Sequence, residues 1–417
     1  MKLKNILFLG IGIVISVFLF MAGWYLAEMT DINDVLTRIP TEAATEATAN
    51  ETTNTPTGTA TEATEPENKP ESITMAIYPY VSNVALFQKV LTEMWAEIEP
   101  DIQLQFVDWN CYLDPYPNNI EVITYDALFL AHLANSGYIQ KLDVDSIDDT
   151  SGIISFAMEG ARYHGDLYGM PFLVCSSYLI HYKDDEAMNQ VQNFGDLYQE
   201  LSIRTAQDPS AGLQIGYGEE APYFYLDALI DYTGTYSTYE EGPLMTPPDA
   251  TILNRLEEIR SVAVPTHQEL ANENFRVLFA EGEGSACYAY SEALYYMEDI
   301  IDKLTIRPIS FFEGENIQLF YADVASLCTQ VTDPVKKEYC MKLINLIASE
   351  KFQAQLCYGT GEVQYMLPAR EQVYLTAKEQ YPIYDVLHDL VTQGNNQIFR
   401  FGPYIFDYKN LAVVALR

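Results

Sequence analysis

Residues 168–183 read YGMPFLVCSSYLIHYK, and the rest of the chain is interpreted outward from this stretch. The Gly-Met-Pro at 169–171 is typical of a turn, and the run that follows it is rich in β-branched and aromatic residues. The polar residues 183–185 close the run. The pattern predicts a loop that feeds one strand, with Cys175 in the first half of that strand.

The composition is that of an acidic globular protein. The 417 residues leave room for two domains, and 23 Lys+Arg against 59 Asp+Glu give a formal net charge of -36. We expect no nucleic-acid partner, because phosphate binding needs clustered basic side chains. A negative field favours cationic small molecules in a cleft, and it also keeps an exported protein in solution.

Cysteine and histidine spacing gives no sign of a metal site. The sequence has neither CxxC nor HExxH, so we predict no metal and no cofactor. An even number of cysteines leaves one or two disulfides open, with Cys340 and Cys357 as one candidate pair. The six cysteines are Cys111, Cys175, Cys287, Cys328, Cys340 and Cys357.

Residues 1–30 are predicted to target the chain to a membrane. Lys2 and Lys4 precede an apolar run over about 6–27, which is long enough to span a bilayer as a helix. Signal peptides have shorter apolar regions, and the early lysines fit an N-inside orientation. We expect an uncleaved anchor that holds the protein on the extracellular side of the cell membrane, whereas cleavage would leave it secreted.

Residues 31–72 are rich in Thr, Glu, Ala and Pro, with few large apolar side chains beyond the first ten. Such a segment cannot bury a core, so it is predicted to be a disordered tether. The folded part is predicted to begin at Ile73.

The first part of the folded region alternates strands with a helix. Ile73–Tyr78, Ile102–Val107 and Val122–Phe129 are predicted as strands, and a helix is predicted over 85–97. This order indicates an α/β lobe with a parallel-rich sheet, in which ligands collect at the carboxyl ends of the strands. Residues at or just past such ends are Tyr78, Tyr80, Trp109, Tyr112 and Asp126.

The second part is more helical. Helices are predicted over about 153–161, 194–201, 223–232, 251–263 and 274–284. Strands are predicted over 286–290 and 318–327, with Asp323 inside the second. Glu292 follows the first strand, which would point it into a cleft, and it could also begin a helix with Ser291 as its N-cap; the two interpretations are compatible. A carboxylate near a helix N-terminus tends to stay ionised, so Glu292 is a candidate proton acceptor.

Two segments resemble the type 2 periplasmic solute-binding proteins: LYGMPF at 167–172 and LIHYKD at 179–184. The resemblance implies an α/β fold of two lobes over 73–417, with an interlobe cleft and the stretch around Cys175 crossing between lobes. The implied lobe boundaries are about 73–172 with 318–358, and about 173–317 with 359–417.

A narrower set of segments is similar to the thiaminase I family and runs in order from about residue 73 to 403. It consists of Ala76–Val81, Phe106–Trp109 with Tyr112, Tyr125–Leu130, Tyr168–Pro171 with Cys175, Gly234–Tyr236, Tyr290–Glu292, Leu319–Asp323, Leu367–Arg370 and Phe399–Pro403. The resemblance implies a transferase that displaces the thiazole of thiamine with an organic base or another nucleophile, through a covalent cysteinyl-pyrimidine intermediate. Cys175 matches the family nucleophile and Glu292 the family base.

The same resemblance implies a substrate-binding set of Tyr78, Tyr80, Tyr112, Asp126, Tyr290, Tyr321 and Asp323. Each type also has an ordinary structural interpretation. Strand tyrosines often pack in sheets, buried aspartates cap backbone or pair with arginine, and a free cysteine is a common small core residue. Cys111 departs from the family pattern, and a second thiol near the site raises the question of oxidation.

Two other functions remain open from the sequence. The chain could be an exported solute-binding protein for thiamine or another cationic nutrient, without turnover, or a degenerate relative that binds and does not react. The coexistence of Cys175 and Glu292 favours the enzyme, because a binder has no need of that pair. In either case we expect a monomer.

Overall fold

The computed structural model describes residues 69–78, 83–233, 249–264, 274–314 and 317–406. The predicted membrane anchor, almost all of the predicted tether, and Tyr80 lie outside these ranges. Within them, no helix has the length and apolar character needed to cross a bilayer. The described structure begins at Lys69, whose ammonium lies 3.0 Å from a carboxylate oxygen of Glu99. The end of the predicted tether therefore belongs to the fold.

The described strands are organised in a large mixed sheet and one short hairpin. In the sheet, β1 has the parallel neighbours β2 and β3, whereas β10 is antiparallel to both β3 and β6. The sheet order is β2-β1-β3-β10-β6-β8-β7, with β9 and β11 also on β6 and β12 on β10, while β4 pairs with β5. The strands are β1 Ser72–Ile77, β2 Gln103–Asp108, β3 Val122–Asp126, β4 Arg162–Tyr163, β5 Asp166–Leu167, β6 Gly169–Tyr182, β7 Leu213–Ile215, β8 Ala286–Tyr290, β9 Leu304–Arg307, β10 Ile317–Leu327, β11 Leu367–Pro368 and β12 Asn395–Ile398.

Helices pack against this sheet, and their apolar faces supply much of the core. In α1, Asn83 caps the first turn, and Leu86, Phe87, Val90 and Leu91 are buried at helical spacing. The described α-helices are α1 Val84–Ile98, α2 Leu130–Asn135, α3 Ser155–Gly160, α4 Phe194–Thr205, α5 Tyr217–Thr233, α6 Ala250–Ser261, α7 Asn274–Ala280, α8 Pro334–Ile347, α9 Glu350–Ala354, α10 Glu371–Ala377 and α11 Ile383–Thr392. All six cysteines are free, so the candidate disulfide is not formed.

The segment predicted as a loop before Cys175 is strand. β6 begins at Gly169, where an added Cβ would lie 2.9 Å from the carbonyl oxygen of Ala325 on β10. The β10 register moves from Leu173 to Pro171, which leaves Phe172 as the extra residue of a bulge. A bulge is one of the few places in a sheet that tolerates proline, because its missing N–H breaks no ladder hydrogen bond there. The turn lies earlier, between β4 and β5.

β6 joins two sections of the sheet. Its first half pairs with β10 and β11, and its second half pairs with β8 and β9. Near the C-terminus, β12 adds to the first of these sections by pairing with β10.

Two further element predictions are wrong. β3 stops at Asp126 and not at Phe129, because the Asp126 side chain accepts the N–H of Leu128 and starts a 3-10 turn. Residues Ser291–Lys303 form a long 3-10 helix capped at Tyr290, so Ser291 is its first residue and not its N-cap.

Candidate active site

Cys175 and Glu292 are brought together by the pairing of three strands. Cys175 lies opposite Tyr321 on β10, and two residues further along β6 Ser177 lies opposite Tyr290, the last residue of β8. Glu292 therefore leaves the end of β8 beside the thiol, and its carboxylate is close enough to influence the pKa of the Cys175 thiol. Both residues are partly exposed, so the pair is reachable from outside the core.

Burial and neighbouring charge set the protonation of this pair. Burial raises the pKa of the Cys175 thiol well above its ordinary value, and the negative charges of Glu292, Asp323 and Asp126 raise it further. Burial also raises the pKa of Glu292, against the opposing effects of its own backbone N–H, the charge of Arg276 and the neighbouring thiol. The geometry favours a neutral thiol with its proton acceptor in place over a preformed thiolate.

Asp126 and Asp323 face each other directly across β3 and β10. Asp126 is 3% exposed and accepts hydrogen bonds from the Tyr112 hydroxyl (2.6 Å) and the Leu128 N–H (2.9 Å). Burial raises its pKa to about 6. Burial, followed by the charges of Asp126 and Glu292, raises the pKa of Asp323 well above its ordinary range. Asp126 thus performs the ordinary capping role and also lies within the acidic cluster.

A narrow recess of about 210 Å³, counted with its opening to solvent, lies beside the pair. Ser291, Glu292 and Asp323 form a polar wall, and aliphatic side chains form the other wall. The aliphatic residues are Leu173, Val174, Met366 and Leu367. The recess therefore presents carboxylate and hydroxyl oxygens on one side and carbon on the other.

The described tyrosines of the predicted set surround the acidic cluster in two pairs. The ring of Tyr78 stacks on that of Tyr112 at 6.0 Å between centroids, and Tyr290 meets Tyr321 edge to face at 5.5 Å. Burial raises the pKa of Tyr78 well above its ordinary value, with further contributions from the charges of Asp126, Cys111, Asp323 and Cys175. Trp109 has a supporting role, since its indole N–H donates to the carbonyl of Pro115.

Sequence reasoning missed several residues of the site. Ser291 donates to Glu292 at 3.3 Å, and Gln318 donates to the Ser176 hydroxyl and to the Ser177 carbonyl, which secures β6 next to Cys175. Met366 carried no local signal, although the neighbouring Leu367–Arg370 belongs to the segments quoted above. Among the described residues, no cluster of His, Cys, Asp and Glu is arranged to hold a metal ion.

Comparison with solved structures identifies the fold. Maltose-bound T. maritima MalE3 superposes with a TM-score of 0.66 at 17% identity, covering 83% of this chain and 94% of that one. The fold is that of the type 2 solute-binding proteins. No family model matches the chain. A thiol beside a carboxylate is an enzyme-type arrangement on this binding-protein scaffold.

Two closer relatives identify the family. Thiaminase-1 of Paenibacillus thiaminolyticus is 32% identical over 348 residues, which are 80% of this chain and 84% of that protein. The structure of Clostridium botulinum thiaminase I in complex with thiamin has a TM-score of 0.77 at 30% identity, covering 82% of this chain and 98% of that one. The chain belongs to the thiaminase I family of enzymes.

Proposed function

We propose that this protein degrades thiamine by transferring its pyrimidinylmethyl group to an organic base or another nucleophile, with Cys175 as the covalent carrier. The juxtaposition of Cys175 and Glu292 by the pairing of β6 with β8 and β10 carries the proposal. A thiol is a weak nucleophile until it loses its proton, and here a carboxylate that can accept the proton lies beside it. Family membership supplies the substrate.

In the first step, Cys175 transfers its proton to Glu292 as its sulfur forms a bond to an electron-poor carbon of the pyrimidine ring. The bond between the bridging methylene and the thiazolium nitrogen then breaks. That nitrogen keeps the electron pair, so the thiazole leaves as a neutral molecule. The pyrimidine remains attached to sulfur, with its methylene carbon open to attack.

In the second step, the incoming nucleophile bonds to the methylene carbon. The electron pair returns to the ring and breaks the carbon–sulfur bond. Cys175 leaves and takes back the proton that Glu292 holds, which restores the starting pair. One difficult displacement is thereby divided into two easier ones.

The acidic cluster suits a cationic substrate. The negative charges of Asp126, Asp323 and Glu292 raise the pKa of one another or of the thiol. A positive charge that enters the site therefore stabilises the ionised form of each carboxylate. A bound thiazolium lowers the pKa of the thiol by the same electrostatics, which couples activation of Cys175 to substrate binding. Tyr112 holds Asp126 in place through its hydroxyl.

The proposal extends to the surroundings of the enzyme. We propose that the recess lies at the floor of a cleft between two lobes, with β6 crossing between them. We also propose that residues 1–30 export the chain and hold it, or release it after cleavage, on the outer side of the cell membrane. The apolar run that follows Lys2 and Lys4 supports this location.

Intact-mass spectrometry tests the central claim. The enzyme is mixed with thiamine, or with a slowly released pyrimidine analogue, in the absence of added nucleophile. We expect a mass gain of one pyrimidinylmethyl group, located on Cys175 by peptide mapping and discharged when an organic base is added.

Cys175→Ser is the matched control, and it should bind thiamine without gaining mass or cleaving it. Thiamine cleavage at the wild-type rate by Cys175→Ser contradicts the covalent mechanism. Tight thiamine binding by the wild-type protein, with neither an adduct nor turnover, indicates a binding protein instead.

A further inference from the structure

β6 changes its partner strand immediately after Cys175. Its pairing with β10 ends at Ser176, and its pairing with β8 begins at the next residue, Ser177, opposite Tyr290. The proposed nucleophile therefore lies on the part of β6 that β10 holds, whereas Glu292 follows the strand that pairs with the next part of β6. The distance between the thiol and the carboxylate thus depends on the course of β6 through these two serines.

One side chain of β10 bonds to both residues at this change of partner. The side-chain amide of Gln318 donates to the Ser176 hydroxyl and, at 2.9 Å, to the Ser177 carbonyl. The Ser176 hydroxyl in turn donates to the carbonyl of Leu319, the next residue of β10. Since an amide nitrogen carries two N–H groups, both donors of Gln318 are used. β10 therefore holds the last serine that it pairs with and also the first serine that pairs with β8.

Gln318 acts from the face of the sheet opposite the thiol. Cys175 lies opposite Tyr321 on β10, and side chains of directly opposed residues leave a sheet on the same face. Gln318 and Tyr321 are three residues apart on one strand, so their side chains leave on opposite faces. Gln318 therefore influences the site through the backbone of β6 and not by contact with reacting atoms.

We infer that Gln318 is a positioning residue for the reaction, which fixes the part of β6 that carries Cys175 relative to the part beside Glu292. The inference rests on the proposed function, since it assumes that Cys175 transfers its proton to Glu292. Loss of the amide should lower the rate of the first step more than the affinity for thiamine. Affinity is spread over many contacts, whereas proton transfer depends on one distance, and a displacement of about 1 Å can lower a rate about a hundredfold.

The first test removes both donors and keeps the length of the side chain. In Gln318→Met, the single-turnover rate of thiazole release should fall by about 10- to 100-fold. The Kd for thiamine, measured by calorimetry in the Cys175→Ser background where no cleavage is expected, should change by less than about threefold. A rate that stays at the wild-type value overturns the inference.

Gln140→Met is the matched control. The Gln140 amide also donates to two backbone carbonyls, those of Cys328 at 2.8 Å and Val331 at 3.2 Å, away from the change of partner in β6. It should cost a similar amount of thermal stability and keep the rate of thiazole release within about twofold of wild type. If Gln318→Met loses no more activity than this control, the amide contributes only to stability and the inference is wrong.

A double-mutant cycle with Glu292→Gln separates positioning from general damage. In that background the carboxylate no longer accepts the proton, so its distance from the thiol matters little. Gln318→Met should then lower the remaining rate of thiazole release by no more than about twofold. An equal loss in both backgrounds means that Gln318 acts on something other than the pair, which contradicts the inference.

A second readout needs no thiamine. The charge of Glu292 raises the pKa of the Cys175 thiol, together with the charges of Asp126 and Asp323, which Gln318→Met leaves in place. Displacement of the Glu292 carboxylate should therefore lower the pH at which iodoacetamide alkylates Cys175. The matched control should alkylate as the wild type does. An unchanged profile in Gln318→Met contradicts the positioning role.

The outcomes separate the two proposals. If the wild-type enzyme forms the Cys175 adduct and Gln318→Met behaves as the wild type in both readouts, the inference is wrong and the proposed function stands. If thiamine gives neither an adduct nor cleavage while Gln318→Met shifts the alkylation profile, the proposed function fails and the placement of the pair by Gln318 is confirmed.

Discussion

Two thiols lie near the same acidic cluster, and they differ in what surrounds them. Burial and the charges of Asp126 and Asp323 raise the pKa of both Cys111 and Cys175. Cys111 is 1% exposed, whereas Cys175 is partly exposed and lies beside Glu292. A low thiol pKa therefore does not distinguish the proposed nucleophile from Cys111. Exposure and a neighbouring proton acceptor do.

The largest effect is expected when each of the two cysteines is replaced by serine in a separate variant. Cys175→Ser should lower kcat/KM for thiamine cleavage by at least about 10³-fold, because no side chain replaces its nucleophile. Cys111→Ser should keep activity within a few-fold of wild type. Comparable losses in both variants, measured on proteins with matched thermal melts, would show that the cluster and not Cys175 is what matters.

The next test removes the feature that the two thiols do not share. Glu292→Gln keeps the shape of the side chain but cannot accept the thiol proton as a base. The single-turnover rate of thiazole release should fall by about 10² to 10⁴-fold. Asp299→Asn, an exposed change on the same 3-10 helix, serves as control. A normal release rate in Glu292→Gln would remove it as the base.

A smaller effect is expected when one negative charge that raises the pKa of both thiols is removed. Asp323→Asn removes a negative neighbour, so the pKa of the Cys175 thiol should fall. Alkylation of Cys175 by iodoacetamide, followed by mass spectrometry against pH, should then begin at lower pH than in wild type. An unchanged or higher midpoint contradicts the electrostatic account. Thiamine turnover should still decrease, because the cation loses a partner.

The smallest effect concerns folding stability near Cys111. The pKa of Asp126 is about 6 in the folded protein against an ordinary 3.8, so the folded state holds this proton more tightly than the unfolded chain. Its stabilising contribution is present below pH 4 and is lost as the pH rises to about 6. Asparagine does not ionise, so Asp126→Asn should not lose this contribution to stability as the pH rises.

The unfolding free energy of Asp126→Asn minus that of the wild type should therefore increase between pH 4 and pH 7, by on the order of 1 to 3 kcal/mol. Urea unfolding at the two pH values measures it. Asp148→Asn, at an exposed loop position, should show little change between them. A gain that shrinks with rising pH would contradict the sign of the shift.

Local pattern was sufficient to locate the longer strands, those of five or more residues, and it did not indicate the shorter ones. Alternation and β-branched content predicted β1, β8 and β10 within a residue or two, since those strands bury apolar side chains at regular spacing. The start of β6 could not be predicted, because glycine and proline indicate a turn unless a partner strand is known. Gly169 accommodates the close approach of β10, and Pro171 depends on the bulge opposite it.

The site shows the same limit. Cys175 and Glu292 are separated by more than a hundred residues, so only family resemblance could pair them before the β6–β8 register was known. The effect of burial on the pKa of Glu292 could not be predicted either, because helix-terminus reasoning omits burial.

The position of β1 has a mechanical consequence. The chain enters the described fold at Lys69 and passes at once into β1, which is hydrogen-bonded on both sides, to β2 and to β3. A pull from the N-terminal side acts along the strand, so β1 can leave only if many hydrogen bonds shear together. Resistance to such loading is set by the unfolding barrier and not by equilibrium stability. We therefore expect β1 to resist a pulling force if the chain upstream of Lys69 is anchored.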